Sequence, residues 1–510
     1  MTSPGFYGQC VVGSGGDDAP ADDDVPGFNP FADVSYYINP ENQNEIYSSV
    51  ATLSPGDPTR STLEAVANVP SAYWIDTKDK ITLTVNNATD TVEEILADAA
   101  GRHPVPLVVF IVYDAPNRDC AAKASNGELC CTYNADGTCD YTAGGDCSAG
   151  LQEYEDEYIT PFAQVLAQFN GIVPVVLVIE PDSLPNLATN LGIPACGDAA
   201  TQAAYKGAIP IAVNALSAAC PDSCTLYADA AHGGWLGWPT NLAAYVDLID
   251  ELGIAPKIRG FTTNSANYQP LGTSCAGASC AAFRALPANY TAVVPRGVWP
   301  EVSPLGLAPS SDSSEAGVAA ADCCADPCGL LGQGNPANNE MNYAYQLVHA
   351  AKATISGFNP TAIIDTVLRY RAPPLSLQVL QHTRPDVNAA YRLAASLFFS
   401  PKGRNGVSDM RSDCANWCNI RGAGIGVKPT TATDSDGLVD AYFWLKTPGE
   451  SDGCTAELPT GGACPRYDSS CASADSIGTQ SGEPDAPEAG DWFDFEIKQL
   501  AANCVWASAV

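Results

Sequence analysis

Residues 106–119 read Pro-Leu-Val-Val-Phe-Ile-Val-Tyr-Asp-Ala-Pro-Asn-Arg-Asp, an apolar run that stops abruptly in an acidic turn. No polar residue interrupts 107–112, so a strand here is apolar on both faces, as parallel strands covered by helices are. The pattern recurs at 173–179, Val-Pro-Val-Val-Leu-Val-Ile, which runs straight into Glu180-Pro-Asp182. Shorter apolar runs stand at 225–228, 258–262, 362–364 and 441–445, and helix-like stretches such as 92–100, 158–169 and 242–252 lie between runs. This alternation predicts an α/β fold, and its rhythm favours a β/α barrel over an open doubly wound sheet.

The turns after these runs carry the chemistry. They read Asp114-Ala-Pro-Asn-Arg-Asp119, Glu180-Pro-Asp182, Asp229-Ala-Ala-His232, Thr263-Asn-Ser-Ala-Asn267 and Lys446-Thr-Pro-Gly-Glu-Ser-Asp452. In a β/α barrel the loops that follow the strands share one face, so acids far apart in sequence converge at one mouth. A single strand-end Asp can equally be a helix N-cap. Four acid-bearing turns with aromatics alongside point instead to a carboxylate site.

Composition narrows the partners. The 510 residues carry 24 Lys plus Arg against 58 Asp plus Glu, a formal charge of −34. Such a surface repels nucleic acid and anionic lipid, whereas a neutral polymer meets no repulsion. No apolar run is long enough to span a bilayer. Twenty cysteines beside four histidines predict disulfides and an oxidising, extracellular setting. The triplets Asn87-Ala-Thr and Asn289-Tyr-Thr agree with export, although no signal peptide is visible at the start, Met1-Thr-Ser-Pro-Gly-Phe-Tyr. Cys323, Cys324 and Cys328 have no histidine close by, so a zinc site is not expected. No metal, cofactor or second subunit is expected.

Several of these segments resemble glycoside hydrolase family 6, the fungal and bacterial cellobiohydrolases and endoglucanases. The matching stretches are Tyr113-Asp-Ala-Pro-Asn-Arg-Asp-Cys-Ala-Ala-Lys-Ala-Ser-Asn-Gly-Glu128, Ile179-Glu-Pro-Asp-Ser-Leu-Pro-Asn186, Tyr227-Ala-Asp-Ala-Ala-His-Gly-Gly-Trp-Leu-Gly-Trp-Pro239 and Arg259-Gly-Phe-Thr-Thr-Asn-Ser-Ala-Asn-Tyr268. Arg404-Asn-Gly406, Trp417-Cys-Asn419 and Trp444-Leu-Lys-Thr-Pro-Gly-Glu-Ser-Asp-Gly453 follow in the family's order. The resemblance implies a distorted barrel of about seven parallel strands, with the active site at the strand C-terminal ends under long disulfide-fastened loops. It also implies inverting hydrolysis of β-1,4-glucosidic bonds in cellulose or a related glucan.

By that resemblance Asp182 is the general acid. Asp119 is the neighbour whose charge keeps it protonated and helps hold the attacking water, and Asp452 is the candidate base. A salt bridge to Arg118 is the competing role for Asp119. Trp74, Trp235, Trp238 and Trp417 match sugar-stacking platforms, although a tryptophan is by default a core residue. Tyr113 and Ser125 match contacts at the cleavage point, and Lys446 and Glu450 match hydroxyl contacts. Asn267 is a plausible hydroxyl partner, and His232 is ranked below these as a loop-orienting residue. Cys120 with Cys196, and Cys418 with Cys471, match the family's loop-fastening disulfides. Cys220/Cys224, Cys275/Cys280 and Cys454/Cys464 are further candidates by proximity.

Residues 1–32 read as a tail and solvated Gly/Asp/Pro linker, and 33–510 as the catalytic domain with insertions at 292–335 and 367–403. The second insertion separates Ala362-Ile-Ile-Asp-Thr366 from Arg404-Asn-Gly406 and is unusually basic. A translated, unspliced intron would account for it. The loops starting at Asn117, with Cys130, Cys131, Cys139 and Cys147, and at Lys446 are both long, which favours a roofed tunnel and exo action. An endoglucanase would keep the fold with an open cleft. A catalytically inactive glucan-binding protein would be expected to lack one of the three acids.

Overall fold

The apolar runs form strands where β-branched and aromatic residues are continuous. In a computed structural model describing residues 28–82, 91–272, 328–370, 416–433, 437–455 and 464–504, these are β1 (Tyr73–Ile75), β2 (Val108–Val112), β3 (Val175–Ile179), β4 (Cys224–Asp229), β5 (Gly260–Thr263) and β6 (Thr361–Asp365). They are followed by β7 (Leu368–Tyr370), β8 (Ala423–Ile425) and β9 (Val439–Phe443). Seven of the nine make one parallel sheet in the order β1-β2-β3-β4-β5-β6-β9, and β7 and β8 form a separate antiparallel pair. The register is regular at the centre, with Val108 opposite Val175 and Val112 opposite Ile179. β1 escapes a search for apolar runs because it is only three residues long.

Side chains alternate between two cores, as the pleat requires. Val108, Phe110, Val112, Val175, Leu177 and Ile179 pack outward against the helices. Val109, Ile111, Tyr113, Val176 and Val178 point inward, where Ile363, Ala441 and Phe443 join them. Each such fully buried side chain contributes about 1.5–3 kcal/mol.

The sheet curls into a half-barrel instead of closing. Its edges, β1 and β9, do not pair as strands, but Ala72 N donates to Trp444 O at 2.8 Å. Phe31 and Tyr36 fill the interior, each with its ring 5.5 Å from that of Phe443.

Three expected boundaries shift. The tail read as 1–32 ends earlier, because Phe31 is buried in the inner core and Asn29 Nδ2 bonds to Asp440 O. The segment read as an insertion from 367 begins as β7, with Val367 and Leu368 buried in a core that includes Trp444. The last residues of the 292–335 insertion also belong to the fold, where buried Asn335 bonds to Gly233 O at 2.7 Å. The rest of both insertions, both Asn-X-Thr triplets, Cys275/Cys280, Cys323, Cys324 and Arg404-Asn-Gly406 lie outside the described residues. Cys328 is disulfide-bonded.

The helix expected over 158–169 is two pieces, a π-helical turn Tyr154–Ile159 and the helix Thr160–Phe169. Pro161 sits at the junction with no N–H to continue the ladder. The widened turn stacks Tyr154 on Tyr158 and aims both hydroxyls under the strand ends. Tyr154 donates to Glu180 at 2.6 Å, and Tyr158 donates to Ile75 O.

Disulfides fasten the loops. Cys120–Cys196 and Cys418–Cys471 pair as the family resemblance implies, and Cys220–Cys224 and Cys454–Cys464 pair as neighbours. The four cysteines of the first long loop pair as Cys130–Cys139 and Cys131–Cys147.

Candidate active site

The strand order lays the site out in a line. Trp74 stands on β1, the Asp119 turn follows β2, Asp182 follows β3, and the Trp235–Trp238 loop follows β4. All of them line one cavity of about 1000 Å³ across the strand ends. Tyr113, Ser125, His232, Asn267, Trp417, Lys446, Glu450 and Asp452 line it too, so every expected catalytic and sugar-contacting residue faces the same space.

The strand-end turns bend sharply. Asn117, Asp119, Glu180, Asp182, Ala231, Asn264 and Ala266 all adopt positive φ. Each costs on the order of 1 kcal/mol or more for a non-glycine residue, and such strain gathers where side chains must be aimed at a ligand. Asp182 stands at the N-cap position of the helix Ser183–Thr189 but makes no capping bond. The helix-cap reading therefore fails for this aspartate. Its backbone N–H donates instead to Asp229 Oδ2 at 3.0 Å.

Electrostatics separate the acids. Burial raises Asp182 well above the usual carboxylate range, and the nearby charges of Asp119 and Asp229 push it the same way. Asp119 is raised to about 6 by burial, opposed by hydrogen bonds from Ser125 and Tyr113 and by the charge of Arg118. Ser125 Oγ and Tyr113 Oη both donate to its Oδ2, the latter at 3.4 Å. Arg118 does not form its ion pair with Asp119. It pairs with buried Asp114 at 3.3 Å and lies over the Tyr113 ring, 4.3 Å from the centroid. Adjacent side chains point apart, whereas the turn brings Arg118 back to the residue four before it.

Asp452 is held on all sides. Lys446 contacts its Oδ1, while Oδ2 accepts from Tyr268 Oη at 2.6 Å and from Asn419 N at 2.7 Å. Burial lowers the Lys446 ammonium below its usual range, and the acidic groups Glu496, Glu450 and Asp365 oppose that shift only in part.

The tryptophans divide into two kinds. Trp74, Trp235, Trp238 and Trp417 are half-buried on the cavity wall, whereas Trp444 is wholly buried in the core. Each platform is fixed by its edge. Trp74 Nε1 donates to Leu445 O at 2.8 Å, Trp235 Nε1 to Thr189 Oγ1 at 2.6 Å, and Trp238 Nε1 to Gln333 O at 3.3 Å. Trp417 packs on Ala124 and the Cys418–Cys471 bridge. His232 lies edge-on to Trp235, 6.1 Å between rings, and Asn267 Oδ1 accepts from Tyr268 N at 2.8 Å.

The two long loops touch. Lys123 N donates to Asp468 Oδ2 at 2.8 Å, and Arg466 donates to Asn126 O at 3.4 Å.

Sequence reasoning singled out neither Asp229 nor Glu180. Asp229 Oδ1 accepts from Ser265 at 3.0 Å and Thr262 at 3.3 Å. Glu180 is raised to about 7 by burial and accepts from Ala115 N at 3.0 Å and Asp114 N at 3.2 Å. Both end an apolar run, which was the available signal. Neither shows in the sequence which backbone it holds.

A half-barrel whose strand ends gather two buried carboxyl groups raised above their usual range and a row of half-buried indoles has the form of an enzyme acting on a sugar chain. The profile of glycosyl hydrolases family 6 matches residues 31–285 and 322–504, and the chain belongs to that family. It is 31% identical to "Exoglucanase 3" of Agaricus bisporus over 480 residues, 93% of this chain and 78% of that protein. It is also 31% identical to "1,4-beta-D-glucan cellobiohydrolase C" of Emericella nidulans over 485 residues, with the same shares covered. Among solved structures, the catalytic domain of Cellulomonas fimi Cel6B aligns with a TM-score of 0.65 at 26% identity, covering 92% of this chain and 94% of that one. The CcCel6A catalytic domain complexed with p-nitrophenyl β-D-cellotrioside aligns with a TM-score of 0.62 at 28% identity, covering 94% and 98%.

Proposed function

We propose that this chain is an inverting cellobiohydrolase that cleaves β-1,4-glucosidic bonds of cellulose and releases cellobiose from non-reducing chain ends. The carrying observation is Asp182, an acid raised by burial and by Asp119 and Asp229, in a cavity walled by four tryptophans. Asp182 donates its proton to the departing glycosidic oxygen. A water held near Asp119 and Ser125 attacks the anomeric carbon from the opposite face, and Asp452 receives the water's proton. The indoles stack on the apolar faces of the glucose rings, while Lys446, Glu450 and Asn267 meet hydroxyls.

Contact between the loops at Lys123–Asp468 and Arg466–Asn126 supports a roofed passage, hence exo action. The disulfides support an extracellular setting, and we take the chain from Asn29 onward as one catalytic unit acting as a monomer. The test follows soluble products from cellulose for the parent and Asp182→Ala. Cellobiose from the parent and none from the variant is expected; equal release from both refutes the assignment.

A further inference from the structure

The geometry points to Glu340 as a positioning residue for the Trp235–Trp238 platform, acting through the Gly233 peptide groups and not by touching the sugar. This rests on the reading that the cleft holds a glucan chain.

Glu340 opens the helix Glu340–Thr354 and is 1% exposed. Its Oε1 accepts from Gly233 N at 2.8 Å, while Asn335 Nδ2 donates to Gly233 O at 2.7 Å. Two buried side chains more than a hundred residues away in sequence thus grip both polar groups of one glycine. That glycine begins the short helix Gly233–Leu236, which carries Trp235. There is no room for slack. A Cβ on Gly233 would lie 2.9 Å from Ala337 O, and one on Gly237 would lie 2.5 Å from the Asn335 side chain. The helix also braces the neighbouring turn that carries Asn267, since Glu340 N bonds to Pro270 O at 2.9 Å and Met341 N to Leu271 O at 3.0 Å.

A carboxyl group so deeply buried needs a reason. Burial raises it to about 8, so it is held neutral over the acidic and neutral range, with the Gly233 N–H as its hydrogen-bond donor. A neutral acid accepting one backbone N–H fixes a loop at the end of β4 without placing a buried charge there. Because strand order sets Trp74 on one side of Asp119 and Asp182 and this loop on the other, loosening the loop weakens only a sugar chain long enough to reach it.

The test measures binding of cellotriose and cellohexaose to the full chain by tryptophan fluorescence, in the parent, Glu340→Ala, Glu340→Gln and Asn335→Ala, each carrying Asp182→Ala so that the sugars are not cleaved. Glu340→Ala is expected to weaken cellohexaose about tenfold, the loss of one buried hydrogen bond, and to leave cellotriose within about twofold. Glu340→Gln retains an acceptor oxygen for Gly233 N and restores the parent affinity. Asn335→Ala, which frees the glycine from the other side, gives the same length-dependent loss and carries the test should Glu340→Ala not fold. Equal losses for both sugars, no loss for either, or a Gln variant no better than Ala overturns the inference alone. A parent that binds neither sugar overturns the reading of the cleft and this inference with it.

Discussion

Asp182 and Asp229 meet through the main chain, the amide of the first donating to Oδ2 of the second at 3.0 Å. The hydrogen bond keeps a second carboxylate beside the proposed acid, and with Asp119 it surrounds Asp182 with negative charge on top of burial. The proton on Asp182 is therefore a property of three loops brought together.

That arrangement gives a pH dependence with a definite sign. The proposed mechanism uses Asp182 protonated and Asp119 charged, so the rate should rise as pH passes about 6, where Asp119 ionises, and fall at higher pH when Asp182 loses its proton. In Asp119→Asn one negative neighbour is gone, Asp182 ionises more readily, and the alkaline limb of kcat/KM moves to lower pH. Asp182→Ala lowers kcat by roughly 10²–10⁴-fold or more with KM little changed. An alkaline limb unmoved in Asp119→Asn would show that the two acids do not interact.

Thermal stability should also fall as pH rises. Burial lifts Asp119 to about 6, Glu180, Asp365 and Glu496 to about 7, and Glu340 and Glu450 to about 8. A carboxyl whose folded pKa is raised binds protons that the unfolded chain has released, so its stabilising contribution is complete below about pH 4 and is lost through the folded values. Self-repulsion from the net charge of −34 acts in the same direction. Calorimetry should give a Tm that declines between pH 5 and 8; a Tm that climbs over that range contradicts the assignment of buried neutral acids.

Two tryptophans should separate folding from binding. Trp444 is fully buried and donates to Val427 O at 2.7 Å, so Trp444→Ala should cost about 3–5 kcal/mol of stability. Trp74 is half-buried on the cavity wall and meets Tyr113 edge-on, 5.0 Å between rings. Trp74→Ala should weaken oligosaccharide binding by about 1–2 kcal/mol with a smaller effect on unfolding. Chemical denaturation and sugar titration of the same pair read both quantities.

The Cys418–Cys471 bridge should matter twice. It closes a sequence separation of 53, which corresponds to roughly 4 kcal/mol of constraint on the unfolded chain. It also forms the floor against which Trp417 and Ala124 pack. Replacing both cysteines by serine should lower the unfolding midpoint and raise KM for oligosaccharides, while removing Cys220–Cys224, far closer in sequence, should move the midpoint less and leave KM unchanged.

Much of this was legible before any coordinates. Six of the seven sheet strands are visible as apolar runs, because a strand covered on both faces carries mostly apolar side chains. The acids at their ends are visible because the runs stop there. The pairing of Arg118 with Asp114 was not legible, since it depends on how the turn folds back. Nor was the ion pair of Lys446 with Asp452, whose geometry depends on how their loop packs against Tyr268 and Asn419. Glu340 was invisible for a simple reason: an acid at the start of a helix reads as a solvent-facing first-turn residue until something is packed on top of it.

By itself the sequence determined the parallel strands, the side on which the acids emerge and the tryptophans available to line a cleft, because these follow from local hydrophobic pattern and chain direction. Only the tertiary structure decided which carboxyl groups are raised by burial, which tryptophans line the cavity and which face the core, and that the sheet curls without closing. Those outcomes depend on burial and on the distance between residues remote in the chain, and neither quantity exists until the chain has folded.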